Sequence, residues 1–220
     1  SGILVSLLRA ELSISPAAAE GAPDAAEGKI IRYEAQGGGM LVNAGVDWDR
    51  YTGILLDGAT VEFEKNWVSD QERLNNSIVR ESDLEHIRSY MSGALGEVLA
   101  AAISGSDRYT LSDTRDSRTL RFTPRIEKLY INAPGRMQNI IGNVLVDSKG
   151  RMVLVMEISD AQSGELLASA WRLQVDPDKE FMETATEAGN KTAFKRMMRE
   201  WSSWFFAMLD HVRTAESPEE

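Results

Sequence analysis

The side chains able to do chemistry are few and scattered along this sequence. His86 and His211 are its two histidines. Neither has a second His or a Cys at ligand spacing, so both read as helix-surface residues rather than metal ligands or proton carriers. The absence of cysteine removes thiolate zinc sites, disulfides and a cysteine nucleophile together. Asp47 and Asp49 alternate as calcium ligands do, but the twelfth position counted from Asp47 is Gly58, where a calcium loop needs a bidentate Glu. Glu62 and Glu64 share one face of a strand and read as a solvated pair, not as a general acid and base. Gly37-Gly38-Gly39 lacks the strand-to-helix setting and the following Lys-Ser or Lys-Thr of a phosphate loop, which leaves a flexible joint. No nucleophile elbow, Walker sequence, zinc-protease or dinucleotide fingerprint is present. The chain is therefore expected to be noncatalytic, with no cofactor and no metal. One site is left to weigh against plain core burial, a hydrophobic ligand pocket lined by Trp171, Trp201 and Trp204.

Composition narrows the partners. Against 34 acidic residues stand 24 basic ones, a net charge of -10 over 220 residues. No concentrated Lys/Arg stripe offsets it, so a nucleic-acid partner is not expected. No apolar run approaches the ~20 residues that span a bilayer. The length fits one domain with a tail.

The elements that must position any site are legible in order. Residues 1–40 combine an apolar stretch, Ile3 to Leu8, with an Ala/Glu/Gly/Pro-rich tract too polar to offset the entropy of ordering it, and read as a partly disordered arm or linker. Residues 41–214 read as a single α+β domain, and 215–220 as a frayed acidic tail. Val61 and Phe63 alternate with acidic residues in a first strand that Asp57-Gly58 interrupts. Lys65 to Arg80 is polar and reads as a surface excursion. Ser82-Asp83-Leu84-Glu85 has the spacing of a capping box and opens a helix whose apolar stripe, from Leu84 to Ala102, ends at Gly105. In the next strand Leu120, Phe122 and Ile126 keep one phase while Leu129 and Ile131 take the other, which requires a bulge. Pro124 places that strand at an edge or marks an interruption in it.

Residues 140–175 read as three antiparallel strands cut at Asp147-Ser148-Lys149-Gly150 and at Asp160 to Glu165. The turn Asp accepts hydrogen bonds from its own loop, and Gly150 and Gly164 take backbone conformations that favour glycine. Val153 and Val155 face one way and Leu154, Met156 and Ile158 the other, so this strand belongs in the sheet interior. On the last strand the Trp171 face is expected to lie beneath the helices, because a large ring stabilises most when fully covered. A terminal helix starting between Thr184 and Asn190 carries the stripe Phe194, Met197, Trp201, Trp204, Phe205, Met208 and Val212.

Several of these segments also resemble a known family. Tyr51-x-x-Ile54-Leu55-Leu56 leads to Val61 and the Glu/Phe strand, followed by the Ser82-Asp83-Leu84 helix start. Further on, Glu157-Ile158-x-Asp160-Ala161-x-Ser163-Gly164-Glu165-Leu166-Leu167-Ala168 gives a strand, turn and returning strand, and Ala193-Phe194 through Trp201 and Leu209 a terminal aromatic helix. Over roughly residues 48 to 213 this order is similar to the bacterial DUF3313 proteins, cell-envelope proteins commonly made as lipoproteins. The resemblance implies a periplasmic or outer-membrane-associated location and brings no catalytic residues. The family's lipid-bearing Cys has no counterpart here, so membrane attachment would depend on an anchor this chain does not carry.

The expected architecture is a two-layer α+β sandwich: a mostly antiparallel sheet of four to five strands with two helices on one face, in the order strand, helix, strand meander, helix. The expected function is binding of an envelope protein partner or of a second copy, through a sheet face, a sheet edge or the N-terminal arm. The alternative is a carrier of a small hydrophobic ligand held between sheet and helices.

Overall fold

A computed structural model describes residues 30–35, 37–75, 78–132, 145–146, 149–177, 183–184 and 186–216. Along them run β1 (Ile30–Ala35), β2 (Gly38–Asn43), a 3-10 turn at Trp48–Arg50, β3 (Gly53–Leu56), β4 (Thr60–Phe63), α1 (Trp67–Asn75) and α2 (Glu81–Ser104). There follow β5 (Thr110–Leu111), β6 (Thr119–Ile131), β7 (Leu145–Val146), β8 (Gly150–Asp160), β9 (Leu166–Val175), β10 (Glu183–Thr184) and α3 (Glu187–Glu216). One sheet of eight strands has the order β1-β2-β9-β8-β6-β3-β5, with β4 also paired to β6, and β7 pairs with β10 alone. The α+β class holds, but the sheet exceeds the four to five strands expected, and it is mixed.

β6 is its spine. One edge pairs antiparallel with β8, and the other is shared end to end by β3 and β4, both parallel to it. That parallel pairing needs a crossover, which α1, α2 and β5 supply. Asp57-Gly58 breaks the first strand as expected, and the break explains Pro124. The Asp57 N–H donates to the Phe122 carbonyl at 2.9 Å, so alternate residues of β6 point their backbone groups toward this edge. The donor that Pro124 lacks falls in the gap between β3 and β4, where no ladder bond is needed. The phase change in β6 is a bulge between Glu127 and Tyr130, with Lys128 at φ 51.

The core lies on one face, beneath α2 and α3. From the sheet come Met40, Val42, Ile54, Phe122, Ile126, Leu154, Met156, Ile158, Ala168 and Ala170; from the helices come Met91, Leu95, Leu99, Phe194, Trp201, Phe205 and Leu209. β8 sits between β6 and β9, in the sheet interior as its two apolar faces required. The face of β9 that meets the helices is not the one expected. Ala170 pairs with Met156 and Met40 in the core, whereas Trp171 pairs with Val155 and Gly39 on the outer face. Alanines lie under the helices because α3 brings the bulk there: Trp201 stacks on Phe205 at 5.4 Å, and Phe205 meets Phe122 edge-on at 5.5 Å. A second set of large rings could not fit at native density.

Five other expectations change. Residues 30–40, assigned to the arm, form the β1–β2 hairpin on the edge of β9; residues 1–29 lie outside the described residues. The glycines of that stretch are no loose joint. Gly37 turns the hairpin at φ +74, and a Cβ on Gly39 would stand 3.0 Å from the Trp171 ring. Within the supposed surface excursion, α1 is a third helix, pinned by fully buried Trp67, which donates from Nε1 to the Ile131 carbonyl at 3.0 Å. Helix α2 starts at Glu81, one residue before the expected cap, and the Asp83 carboxylate accepts from the Arg80 N–H at 3.3 Å. Finally, β8 takes β6 as its antiparallel neighbour, while Leu145–Val146 pairs with Glu183–Thr184 outside the main sheet; residues 147–148 of the expected turn lie outside the described residues.

Candidate functional site

Asp160 lies at the end of β8, 3% exposed. Its Oδ1 accepts from the backbone N–H groups of Gln162 at 2.9 Å and Ser163 at 2.8 Å, which closes the turn. Its Oδ2 accepts from the Tyr51 hydroxyl at 2.8 Å and from Arg50 at 2.6 Å. Burial alone would raise the carboxyl, but the Ser163 N–H, the Tyr51 hydroxyl and the Gln162 N–H outweigh it and hold Asp160 at about 2. Burial first, and the bond to Asp160 second, push Tyr51 up to about 12. Tyr51 is fully buried and Asp160 nearly so. The cluster ties the β8–β9 turn to the 3-10 turn.

Asp176, fully buried just past β9, plays a similar part at the other end of the strand pair. It accepts from the Lys149 N–H at 2.8 Å and from Arg196 of α3, while its own N–H donates to the Gly150 carbonyl at 2.9 Å. Gly150 at φ +141 allows this approach; a Cβ there would stand 2.0 Å from the Tyr130 carbonyl oxygen. Gly164 turns the other loop at φ +77 in open space. His86 is exposed on α2 and His211 exposed on α3, where its ring meets Tyr33 edge-on at 5.8 Å. Among the described residues no group of three or more His, Asp or Glu could hold a metal.

The three tryptophans of the expected pocket are divided by the sheet. Trp201 is fully buried in the core and Trp204 packs against it with the Arg172 guanidinium 5.3 Å from its ring. Trp171 lies across the sheet, half-buried, with Arg32 of β1 at 5.7 Å. They do not line one space.

Two surfaces take their place. On the outer face, Trp171 and Leu173 stand opposite Val155 and Val153 across the β8–β9 ladder. Val175 continues the row at 51% exposure. Over β6 and β8 that face is mainly polar and paired, with Arg121 on Asp57 at 2.7 Å, Arg125 on Glu127 and Glu157, and Arg151 on Glu64 at 2.8 Å. Leu41 of β2, opposite Ser169, extends the apolar part beside β9. Beyond it β1 ends the sheet, and no described strand pairs with its outer edge.

The second surface is a groove of about 420 Å³ between α2 and α3, lined by Glu97, Val98, Ala101 and Ala102 on one side and Lys195, Arg199, Ser202 and Ser203 on the other. Small side chains on facing helices leave this space. Lys195 bridges it to Glu97 at 2.9 Å. The sequence does not disclose this groove, because its signal, Ala101-Ala102 against Ser202-Ser203, lies between helices and depends on how they pack.

No family model matches the chain, and no curated protein matches it. Among solved structures, the PelC dodecamer from Paraburkholderia phytofirmans aligns with a TM-score of 0.35 and 8% identity, covering 79% of this chain and 95% of that one. A neuraminyllactose-binding hemagglutinin homolog from Helicobacter pylori aligns with a TM-score of 0.32 and 10% identity, over 74% of this chain and 91% of that one. Likeness at this level does not define what this chain does. Among the described residues no helix is long and apolar enough to cross a membrane.

Proposed function

We propose that this chain is a noncatalytic protein of the bacterial cell envelope, periplasmic or associated with the outer membrane as the DUF3313 resemblance implies. It binds a protein partner or a second copy of itself through the β9 side of its outer sheet face. The observation that carries this reading is the row Val153, Leu173, Trp171 and Val175, apolar and partly open to solvent on the face away from α2 and α3. Side chains of this kind at the centre of a contact, rimmed by the polar pairs already formed around them, suit a protein interface.

Sedimentation of the full chain across a concentration series tests the self-assembling form. We expect the mass to rise with concentration, and Leu173→Glu, on the solvent side of β9, to return it to the monomer while melting curves show the chain still folded. A strictly monomeric wild-type chain at high concentration removes that form of the proposal.

A further inference from the structure

We propose that the groove between α2 and α3 binds an apolar monocarboxylate, with the carboxylate on Arg199 and Ser202 and the hydrocarbon along Val98, Ala101 and Ala102. This site is separate from the outer sheet face and is independent of the assembly reading.

Three observations converge on that chemistry. The first is an uncommitted charge. Lys195 is paired with Glu97, and that contact raises the lysine's affinity for its proton. Arg199, one turn further along α3, makes no ion pair or hydrogen bond among the described residues. In a chain of net charge -10, a guanidinium left without a carboxylate at the rim of a groove is a vacancy for an anion, and its fork matches a carboxylate in two bonds. The second is an unpaired hydroxyl. Ser202 is 2% exposed, it lines the groove, and its Oγ has no hydrogen-bond partner. A helical serine can satisfy itself on a carbonyl of the preceding turn, and this one does not; leaving it unpaired in the interior is unfavourable. Arg199 and Ser202 are three apart on α3 and therefore neighbours on one face. The third is the opposite wall. Val98, Ala101 and Ala102 offer a ligand nothing but methyl groups, so the body that fits beside them is hydrocarbon.

Charge limits the ligand further. Glu97 and Lys195 cancel, which leaves one net positive charge in the groove. A monoanion is balanced there, whereas a dianion such as phosphate is not, and finds no use for the apolar wall. The volume lies at the small end of what ligand sites occupy.

The test titrates the full chain with octanoate by calorimetry, with octanol and inorganic phosphate as the two partial mimics. We expect saturable binding of one octanoate, with octanol and phosphate each weaker by about tenfold or more. Arg199→Gln, at an exposed position, should weaken octanoate by about three- to tenfold and leave octanol unchanged. Ala102→Leu should abolish binding by filling the groove, with Ser202→Ala intermediate; melting curves establish that each variant is folded. Leu173→Glu, on the other face, should bind octanoate as the wild type does. The proposal is overturned if octanoate gives no saturable heat, if phosphate binds as tightly, or if folded Ala102→Leu and Arg199→Gln bind octanoate unchanged.

Discussion

Asp160 shows what one residue does in this fold. Its carboxyl is held at about 2, below the unfolded value of about 3.9, so the folded state favours the ionised form. That stability is fully present above pH ~4 and is lost as pH falls toward ~2. Tyr51, raised to about 12, has the opposite sense: its contribution is complete below pH ~10 and lost as pH rises through ~12. We predict that Asp160→Asn lowers unfolding free energy at pH 7 by about 2 to 3 kcal/mol, and that urea titrations at decreasing pH bring wild type and variant together between pH ~4 and ~2. A difference independent of pH would mean that the charge is not what the turn and Tyr51 hold. The two glycines separate similarly. Gly164→Ala should cost about 1 kcal/mol for its left-handed φ, whereas Gly150→Ala should cost several times more, because its Cβ would overlap the Tyr130 carbonyl. Sequence spacing disclosed the Asp160 turn and the glycine at its end. It could not disclose Tyr51, which lies 109 positions away and reaches Asp160 through the folded sheet.

At the scale of elements, patterns internal to one strand or helix were legible and those made between elements were not. The two-faced apolar run of β8 placed it inside the sheet, the phase change of β6 gave the bulge at Lys128, and the stripes of α2 and α3 gave the two long helices. By contrast, the β1–β2 hairpin earns its place only through β9, where Gly38 and Gly39 let the backbones close, and its composition alone resembles a linker. α1 was hidden because nine residues bury little besides Trp67 and Gln71. The orientation of β9 does not follow from ring size alone, because α3 already supplies the bulk on the core face. The correction is measurable. Truncation to Ala should cost about 3 to 5 kcal/mol at fully buried Trp67 and Trp201, and about 1 to 2 at half-buried Trp171. Chemical unfolding of the three variants gives the order; a Trp171→Ala cost equal to the others would return that ring to the core.

For the whole molecule, the decisive quantity is a large negative charge combined with a contact surface that is mainly apolar. Two copies, each at -10, repel one another at long range, while the Val153, Leu173, Trp171 and Val175 row attracts only on contact. The ion pairs around that row, Arg125 with Glu157 and Arg151 with Glu64, are satisfied within one chain and contribute little across an interface. Added salt shortens the screening length from about 10 Å at 0.1 M to about 3 Å at 1 M, which weakens the repulsion and leaves apolar burial intact. Self-association through this face should therefore strengthen as salt rises, and sedimentation at the two salt concentrations should show a larger share of assembled protein at the higher one. Leu173→Glu should remove assembly at both. If assembly instead weakens with salt, oppositely charged groups on two copies hold it together, and the contact lies away from the apolar side of the sheet.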